Sequence, residues 1–240
     1  MRLHEGNQFE DAVWEDQRAL FAGRDAKVIF DVGANIGKSV AQYARLFPQS
    51  RIFAFEPFPE VFRVLSDEFA GNHRIRPVNN AVSDSHGTFR FYLNEYADTN
   101  SLLPRPGDSR RYYSDCNPPI GSMSVETVTL DEFSESVGVD SIDILKMDIQ
   151  GGEAGALRGA HRLLSRQSIQ ALFLEVFFVP HYQEAYLYHE LAGFLQNYGY
   201  TLFNIYDMVR AANRQLRFAD ALFVSAQFRK EVVDSCPPEP

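Results

Sequence analysis

The sequence predicts an α/β fold in which a mostly parallel sheet, with one antiparallel strand, carries helices on both faces. Three observations predict it. Strand-like apolar runs alternate with helix-patterned segments of about 10–15 residues, the signature of βαβ units. Two of the runs, Val28–Val32 and Ile169–Val179, are almost continuously apolar, as burial on both faces of a sheet requires. The last two runs are joined by residues 207–218 without a helix pattern, which makes them a hairpin and places one antiparallel strand at or near an edge.

Residues 1–24 read as an N-terminal helical arm, with Phe9, Val13, Leu20 and Phe21 as anchors onto the body. One domain, residues 25–228, follows, and residues 229–240 read as a frayed tail. Strands are expected at Val28–Val32, Arg51–Phe55, Arg74–Asn79, Gly87–Leu93 and Val125–Leu130, then at Ile142–Ile149, Ile169–Val179, Thr201–Tyr206 and Ala219–Ala226. Helical spacing predicts Lys38–Phe47, with Val40, Tyr43, Ala44 and Phe47 on one face, and Pro59–Phe69, with Val61, Phe62, Leu65 and Phe69. Further helices are expected at Asp131–Val137, Glu153–Leu164 and Gln183–Tyr198, the last closed by Gly199. Residues 94–122 break the rhythm with Pro, Asn, Asp, Ser and Gly among aromatics. A loop of that length is either a substrate or lid insertion over a site or a disordered excursion.

The 240 residues are 45% hydrophobic and 23% charged, ordinary for a globular chain, with a formal net charge of -9. With no run of Lys or Arg, that charge argues against a nucleic-acid footprint and against docking on anionic membranes. No apolar segment reaches the roughly 18 residues of a membrane span. The opening MRLHEGNQFEDAVWED is acidic and unlike a secretory signal. Cys116 and Cys236 lie far apart without metal-ligand spacing, so they read as free thiols in a reducing, cytoplasmic compartment. The expected partner is an uncharged or cationic small molecule.

The stretch VIFDVGANIG, Val28 to Gly37, ends a buried strand in an acid and follows it with a bare turn. Ligands of doubly wound sheets settle at the carboxyl ends of such strands, where glycine lets backbone approach closely and the next helix offers free amides. The spacing Gly33-x-x-x-Gly37 is not the G-x-G-x-x-G of dinucleotide enzymes, and by itself it also describes a turn that binds nothing. Asp31 would repel a phosphate. It suits a ligand with an ammonium group, or it orients the turn by bonding its amides. Glu56 closes the next strand about 20 residues on, where an acid that bonds ribose hydroxyls is expected. Two acids around a glycine turn describe a nucleoside pocket without phosphate, and S-adenosylmethionine fits it.

FDVGANIG, FAFEPFPEVFRVL, VNNAVSD with HGTFRFY, TLDEF and DILKMDIQGGEAGALRGA, in this order from about Val28 to Tyr206, resemble the FkbM-type methyltransferases. The resemblance implies a Rossmann-like class I methyltransferase with a seven-stranded sheet. It implies S-adenosylmethionine as donor and O-methylation of a sugar, glycan or polyketide-like natural product. Asp31, Gly33, Ala34, Asn35 and Gly37 would then line the donor's methionine half, and Glu56 would hold its ribose. Pro57 and Phe58 would flank the adenine, with Asn80 and Ala81 facing it. Asn79 and Asn80 also read simply as a turn.

Asp148, ending the strand next to that of Asp31, would project into the same crevice, against donor and acceptor alike. The family reads Asp-x-Glu-Gly or Asp-x-Gln-Gly here. With Gln150 rather than an acid, a divalent metal is not favoured, since hard cations want several oxygen ligands. Lys146 either pairs with an acid or is structural, and Glu153 either opens a helix or takes part in chemistry. Glu175 interrupts an apolar strand, and a buried acid marks function or a specific ion pair. His181 follows in VPHYQE, as a general base or as a surface histidine. An alcohol attacking a methyl carbon needs a base, and Asp148, Glu175 and His181 are the candidates. Asn100, Ser101, Arg105, Arg110, Arg111, Tyr112 and Tyr113 are expected around the acceptor. A nicotinamide-dependent oxidoreductase and a binding protein that has lost turnover are the competing readings.

Overall fold

The computed structural model describes residues 8–107 and 118–235. In chain order its elements are α1 (Gln8–Leu20), β1 (Val28–Val32), α2 (Lys38–Leu46), β2 (Arg51–Phe55), α3 (Pro59–Phe69), β3 (Ile75–Val78), β4 (Ala81–Val82) and β5 (Gly87–Leu93). Then come β6 (Gly121–Val128), α4 (Leu130–Ser136), β7 (Ile142–Met147), α5 (Glu153–Arg158), α6 (His161–Ser165), β8 (Ile169–Phe177), α7 (Tyr188–Gln196), β9 (Tyr200–Arg210) and β10 (Leu216–Ser225).

Seven strands form the central sheet in the order β3-β2-β1-β7-β8-β10-β9. The first five pair in parallel. β10 is antiparallel to both β8 and β9, one place in from the edge, as a helix-free connection dictates. The order reverses between β1 and β7, so a crevice opens at their carboxyl ends. Alternate residues of these strands face two apolar layers. Phe30, Val32, Leu145, Leu172 and Leu174 pack on the side of α4, α5 and α7. Ile29, Ile144, Ala171, Phe173 and Leu222 pack on the side of α1 and α2. Tyr43 and Leu65 are fully buried there, and each such side chain contributes about 1.5–3 kcal/mol.

A second sheet, β4-β6-β5, was not foreseen. Both of its longer strands were expected, but β6 starts at Gly121, before Val125, because it pairs with the whole of β5 out to Leu93. The hairpin is likewise longer than expected, its ladder running from Ser225↔Tyr200 to Leu216↔Arg210 through several bulges. The helix expected over 153–164 is two helices. A Cβ on Gly159 would meet the Ser83 carbonyl oxygen at 2.1 Å, and the Asp131 carboxylate receives the amides of Arg162 and Leu163 at 2.7 and 3.0 Å, starting α6 afresh. Residues 183–187 lie outside α7, which begins where the Glu190 carboxylate accepts the Leu187 amide at 2.8 Å.

The helix of the N-terminal arm lies against the sheet, with Val13 and Leu20 buried and Phe21 just beyond it, while the side chain of Phe9 lies outside those described. Residues 229–233, expected to fray, form a π-helical turn whose Glu231 meets Arg24 at 3.3 Å. Arg110, Arg111, Tyr112, Tyr113, Cys116 and Cys236 lie outside the described residues. Among the described residues no helix is long and apolar enough to cross a membrane.

Candidate functional site

The glycine turn after β1 is bare for two packing reasons. Gly33 has φ 80°, and a Cβ there would lie 1.9 Å from the Asp148 carbonyl oxygen, so only glycine lets the turn touch the exit of β7. The amides of Gly33 and Ala34 both donate to the Phe55 carbonyl, at 3.0 and 2.9 Å, which pins the turn to the end of β2. Gly37 has φ 92°, and its missing Cβ makes room for the Phe69 ring, bringing α2 onto α3.

Asp31 stands opposite Lys146 in the β1–β7 register and is wholly buried. Lys146 Nζ lies 3.3 Å from Asp31 Oδ1 and donates to the Gly33 carbonyl at 3.2 Å. Ser39 Oγ donates to Asp31 Oδ2 at 2.5 Å. Burial pulls the lysine's pKa down, but Asp31 and then Asp148 more than reverse this and hold it above its ordinary value. Asp31 therefore neither reaches toward a ligand's ammonium nor bonds the turn's amides; it anchors the lysine that holds the turn.

Glu56, at the end of β2, accepts the Asn35 amide on Oε2 at 3.0 Å and the Phe58 amide on Oε1 at 2.9 Å. Burial raises its pKa, and those two amides oppose the rise. Each oxygen keeps a second lone pair. Asn79 Nδ2 ties the strand ends together by donating to the carbonyls of Glu56 and Pro57, at 2.8 and 3.2 Å.

Two connected hollows meet at these residues. A narrow one of about 90 Å³ has Glu56, Pro57, Asn80, Ala81, Asp98 and Gln150 on its walls, with Phe91, Leu102 and Ile149 as apolar faces. A broader cleft of about 880 Å³ is lined by Ala34, Lys38, Glu95, Tyr96, Lys146 and Phe173, with Trp14 reaching in from α1. Gly33, Asn35, Ala97, Asp98 and Asp148 border both. Gly37 and Phe58 border neither; Phe58 packs on the Ala81, Phe91 and Val125 cluster.

Beyond β7 the acids are linked to one another. Gln150 Nε2 donates to Asp148 Oδ1 at 2.8 Å and to Glu175 Oε2 at 3.0 Å. Gln150 Oε1 accepts the Tyr182 hydroxyl at 2.7 Å. Lys146 Nζ is 3.8 Å from Asp148 Oδ2, and the Asp148 side chain is 44% exposed on the cleft. Glu175 faces Asp220 across the β8–β10 ladder. Burial, then the charges of Asp148, Glu153 and Asp220, push the Glu175 pKa well up. Burial and Asp148 push Asp220 up to about 7. Glu153 accepts the Ile149 amide at 2.9 Å at the start of α5, and burial lifts it to about 7.

His181 borders neither hollow. Its ring stacks on Tyr182 at 4.7 Å and meets the edge of Phe177 at 5.4 Å. Burial, with Arg105 and Arg217 nearby, pushes its pKa down to about 3, and its place away from both hollows gives it no reach to a reacting hydroxyl there. Of the residues expected to meet an acceptor, Ser101 is buried and borders neither hollow, while Asn100, though largely buried, borders the narrow one. Asn100 Oδ1 accepts the Asn94 amide at 2.7 Å, and Ser101 Oγ donates to the Gln150 carbonyl at 2.7 Å. They hold residues 97–102 over the narrow hollow as an ordered cover.

Sequence reasoning missed Trp14, Asp98, Tyr182 and Asp220. Asp220 interrupts the apolar run ADALFV as Glu175 does ALFLEVFF, so the same signal could have found it. Nothing local marks Trp14 or Asp98, whose places come from how α1 and the cover fold back.

A family model described as the Methyltransferase FkbM domain matches residues 31–202. The 2-O-methyltransferase NoeI of Sinorhizobium fredii is 28% identical over 145 residues, 58% of this chain and 59% of that protein. The hexuronic acid methyltransferase AglP of Haloferax volcanii is 29% identical over 152 residues, 62% of this chain and 55% of that protein. The chain thus spans somewhat more than half the length of these curated relatives. Among solved structures, the magnesium protoporphyrin IX methyltransferase of Synechocystis has the same fold. Its TM-score is 0.50 at 10% identity, over 90% of this chain and 77% of that one.

Proposed function

We propose that this chain, which belongs to the FkbM methyltransferase family, transfers a methyl group from S-adenosylmethionine to a hydroxyl oxygen of a saccharide or a polyketide-like natural product. The observation that carries the reading is the meeting of the two hollows at Gly33, Asn35, Asp98 and Asp148, which gives a donor and an acceptor adjoining seats with two carboxylates on their shared border, of which Asp148 closes the central strand β7. The name of NoeI, a 2-O-methyltransferase, favours an oxygen as the methyl acceptor, and that of AglP, a hexuronic acid methyltransferase, favours a saccharide.

The residues present fit an adenosyl donor. Gly33 borders both hollows as bare backbone packed on the exit of β7, and Glu56 presents carboxylate lone pairs for two ribose hydroxyls. Asn80 offers an amide to the adenine edge, beside Pro57 and Ala81. Glu95, Asp98 and Asp148 leave the cleft acidic despite Lys38 and Lys146, which suits a cationic ligand. When bound, S-adenosylmethionine supplies an electrophilic methyl carbon on a sulfonium. Asp148 accepts the acceptor's hydroxyl proton as its oxygen attacks in line. Glu175, its pKa raised, stands behind Asp148 across the Gln150 amide. The donor set speaks against a divalent cation, because Asp148 already faces an amide NH₂ and an ammonium. The net charge favours a small acceptor over nucleic acid, and the two widely spaced cysteines favour the cytoplasm.

Calorimetry with S-adenosylmethionine, S-adenosylhomocysteine, NAD and NADP tests the donor, and transfer of a tritiated methyl to sugars, uronic acid glycosides and hydroxylated polyketides tests the acceptor. Uptake of the adenosyl ligands with transfer to at least one hydroxyl is expected. Binding of nicotinamide alone would overturn the reading; tight donor binding with no transfer across the panel would favour a binding protein.

A further inference from the structure

We infer that Gln150 is a positioning residue that sets the carboxylate of Asp148 and fastens the 97–102 cover over the narrow hollow, an inference resting on the methyl-transfer reading only for its consequence. Both protons of one amide are committed to acids on two strands, Asp148 and Glu175, at 2.8 and 3.0 Å. The amide's oxygen faces the Tyr182 hydroxyl at 2.7 Å, and that hydroxyl also lies 2.9 Å from the Thr99 carbonyl. The residue's own carbonyl accepts Ser101 Oγ at 2.7 Å. This orientation of the amide gives each of the two acids a donor, whereas the reverse would turn its oxygen toward both. Glutamate, even when protonated, has one proton for the two acids, and an apolar residue has none.

One carboxamide therefore links the proton acceptor to the lid. When the cover lies on the adenosyl hollow, through Thr99 and Ser101, the same residue fixes the direction in which Asp148 presents its oxygens. The charged and titratable groups around it are Asp148 and Lys146 of β7, Glu175 of β8, Asp220 of β10, Glu153 of α5 and the Tyr182 phenol.

The test uses the full ligand-free chain. The titration of the Asp148 carboxyl is followed by ¹³C NMR, assigned by its loss in D148N, and amide hydrogen exchange is measured along the backbone. In Q150L the Asp148 midpoint is expected to rise by about half a pH unit or more, since its carboxylate loses a donor. Exchange at residues 97–102 should quicken about tenfold while β1 and β2 stay protected. Y182F should loosen the cover with a smaller effect on Asp148. Q150E should keep part of the linkage below the pH at which its new carboxyl ionises, its one proton serving one of the two acids, and should loosen like Q150L above it. An unmoved Asp148 midpoint in Q150L, or exchange quickened equally in every strand, overturns the proposal. Should Q150L not fold, a cover no looser in Y182F than in wild type, or a pH-independent Q150E, overturns it equally. Affinity for S-adenosylhomocysteine is measured separately, so failure of the wild type to bind it sinks the methyl-transfer reading and leaves these outcomes to decide on Gln150.

Discussion

The carboxyl ends of β1 and β2 and the carboxyl ends of β7, β8 and β10 both carry acids, yet the two groups are treated in opposite ways. On the first side every acid is matched by the protein itself: Asp31 by Lys146 and Ser39, Glu56 by two backbone amides. On the second side Asp148 and Glu175 share one amide donor, Asp220 faces Glu175 across the ladder, and the one lysine is mostly engaged elsewhere, so burial and neighbouring charges raise Glu175 and Asp220. A matched acid builds a rigid seat. An unmatched one costs stability, and at Asp220 the carboxyl is held up to about 7.

The widest test of that contrast is Lys146→Met, which strands Asp31 in the core. Urea unfolding at pH 7 should show a loss of about 4 kcal/mol, and Asp31→Asn in the same chain should recover much of it. If Lys146→Met is nearly neutral, the first side is not self-matched. The second side makes an opposite forecast in pH. Glu153 is raised to about 7, so between the pH where an unfolded glutamate titrates and 7 the folded state holds more protons. Stability is then greatest at acid pH and declines as pH rises across that window, by up to ~3 kcal/mol. Asp220 adds in the same direction. Glu153→Gln keeps the acceptor for the Ile149 amide and should flatten the decline; stability that instead climbs from pH 5 to 8 would break the comparison.

Asp148→Asn should cost turnover about 100-fold, ~2.7 kcal/mol in the barrier, while S-adenosylhomocysteine affinity and urea stability barely move. Equal losses in binding and turnover would give Asp148 to the donor instead. The smallest effect is expected at Glu56→Gln, which should weaken S-adenosylhomocysteine by ~1–2 kcal/mol in calorimetry, because one ribose hydroxyl meets an amide NH₂ in place of a carboxylate oxygen.

Which of the longer strands exist, and that the glycine turn follows the first, was readable because both are local: apolar period, β-branching and turn residues act within a few positions, whereas the two-residue β4 exists only through its pairing with β6. Residue type without neighbours makes Gln150 only an acid missing from a metal set, and makes His181 a base. The β8–β10 register puts Asp220 beside Glu175, and the fold-back of the cover puts Thr99 on Tyr182; neither contact has a trace in local spacing. Residues 94–102 look structureless in sequence because their order comes from buried Asn94, Asn100 and Ser101 bonding to distant backbone and to one another, not from periodicity.

Sequence alone determined the doubly wound sheet, the hairpin that reverses its end, the family, and the acids that close the central strands, because these follow from pattern and residue chemistry along the chain. Tertiary structure decided which of those acids stay available. Asp31 was given a lysine by the register of β1 on β7, Glu56 was given amides by the turn and by the start of α3, and Asp148 was left facing the cleft. A carboxylate's role is set by the charges and donors within a few ångströms of it, and only the folded chain brings those together.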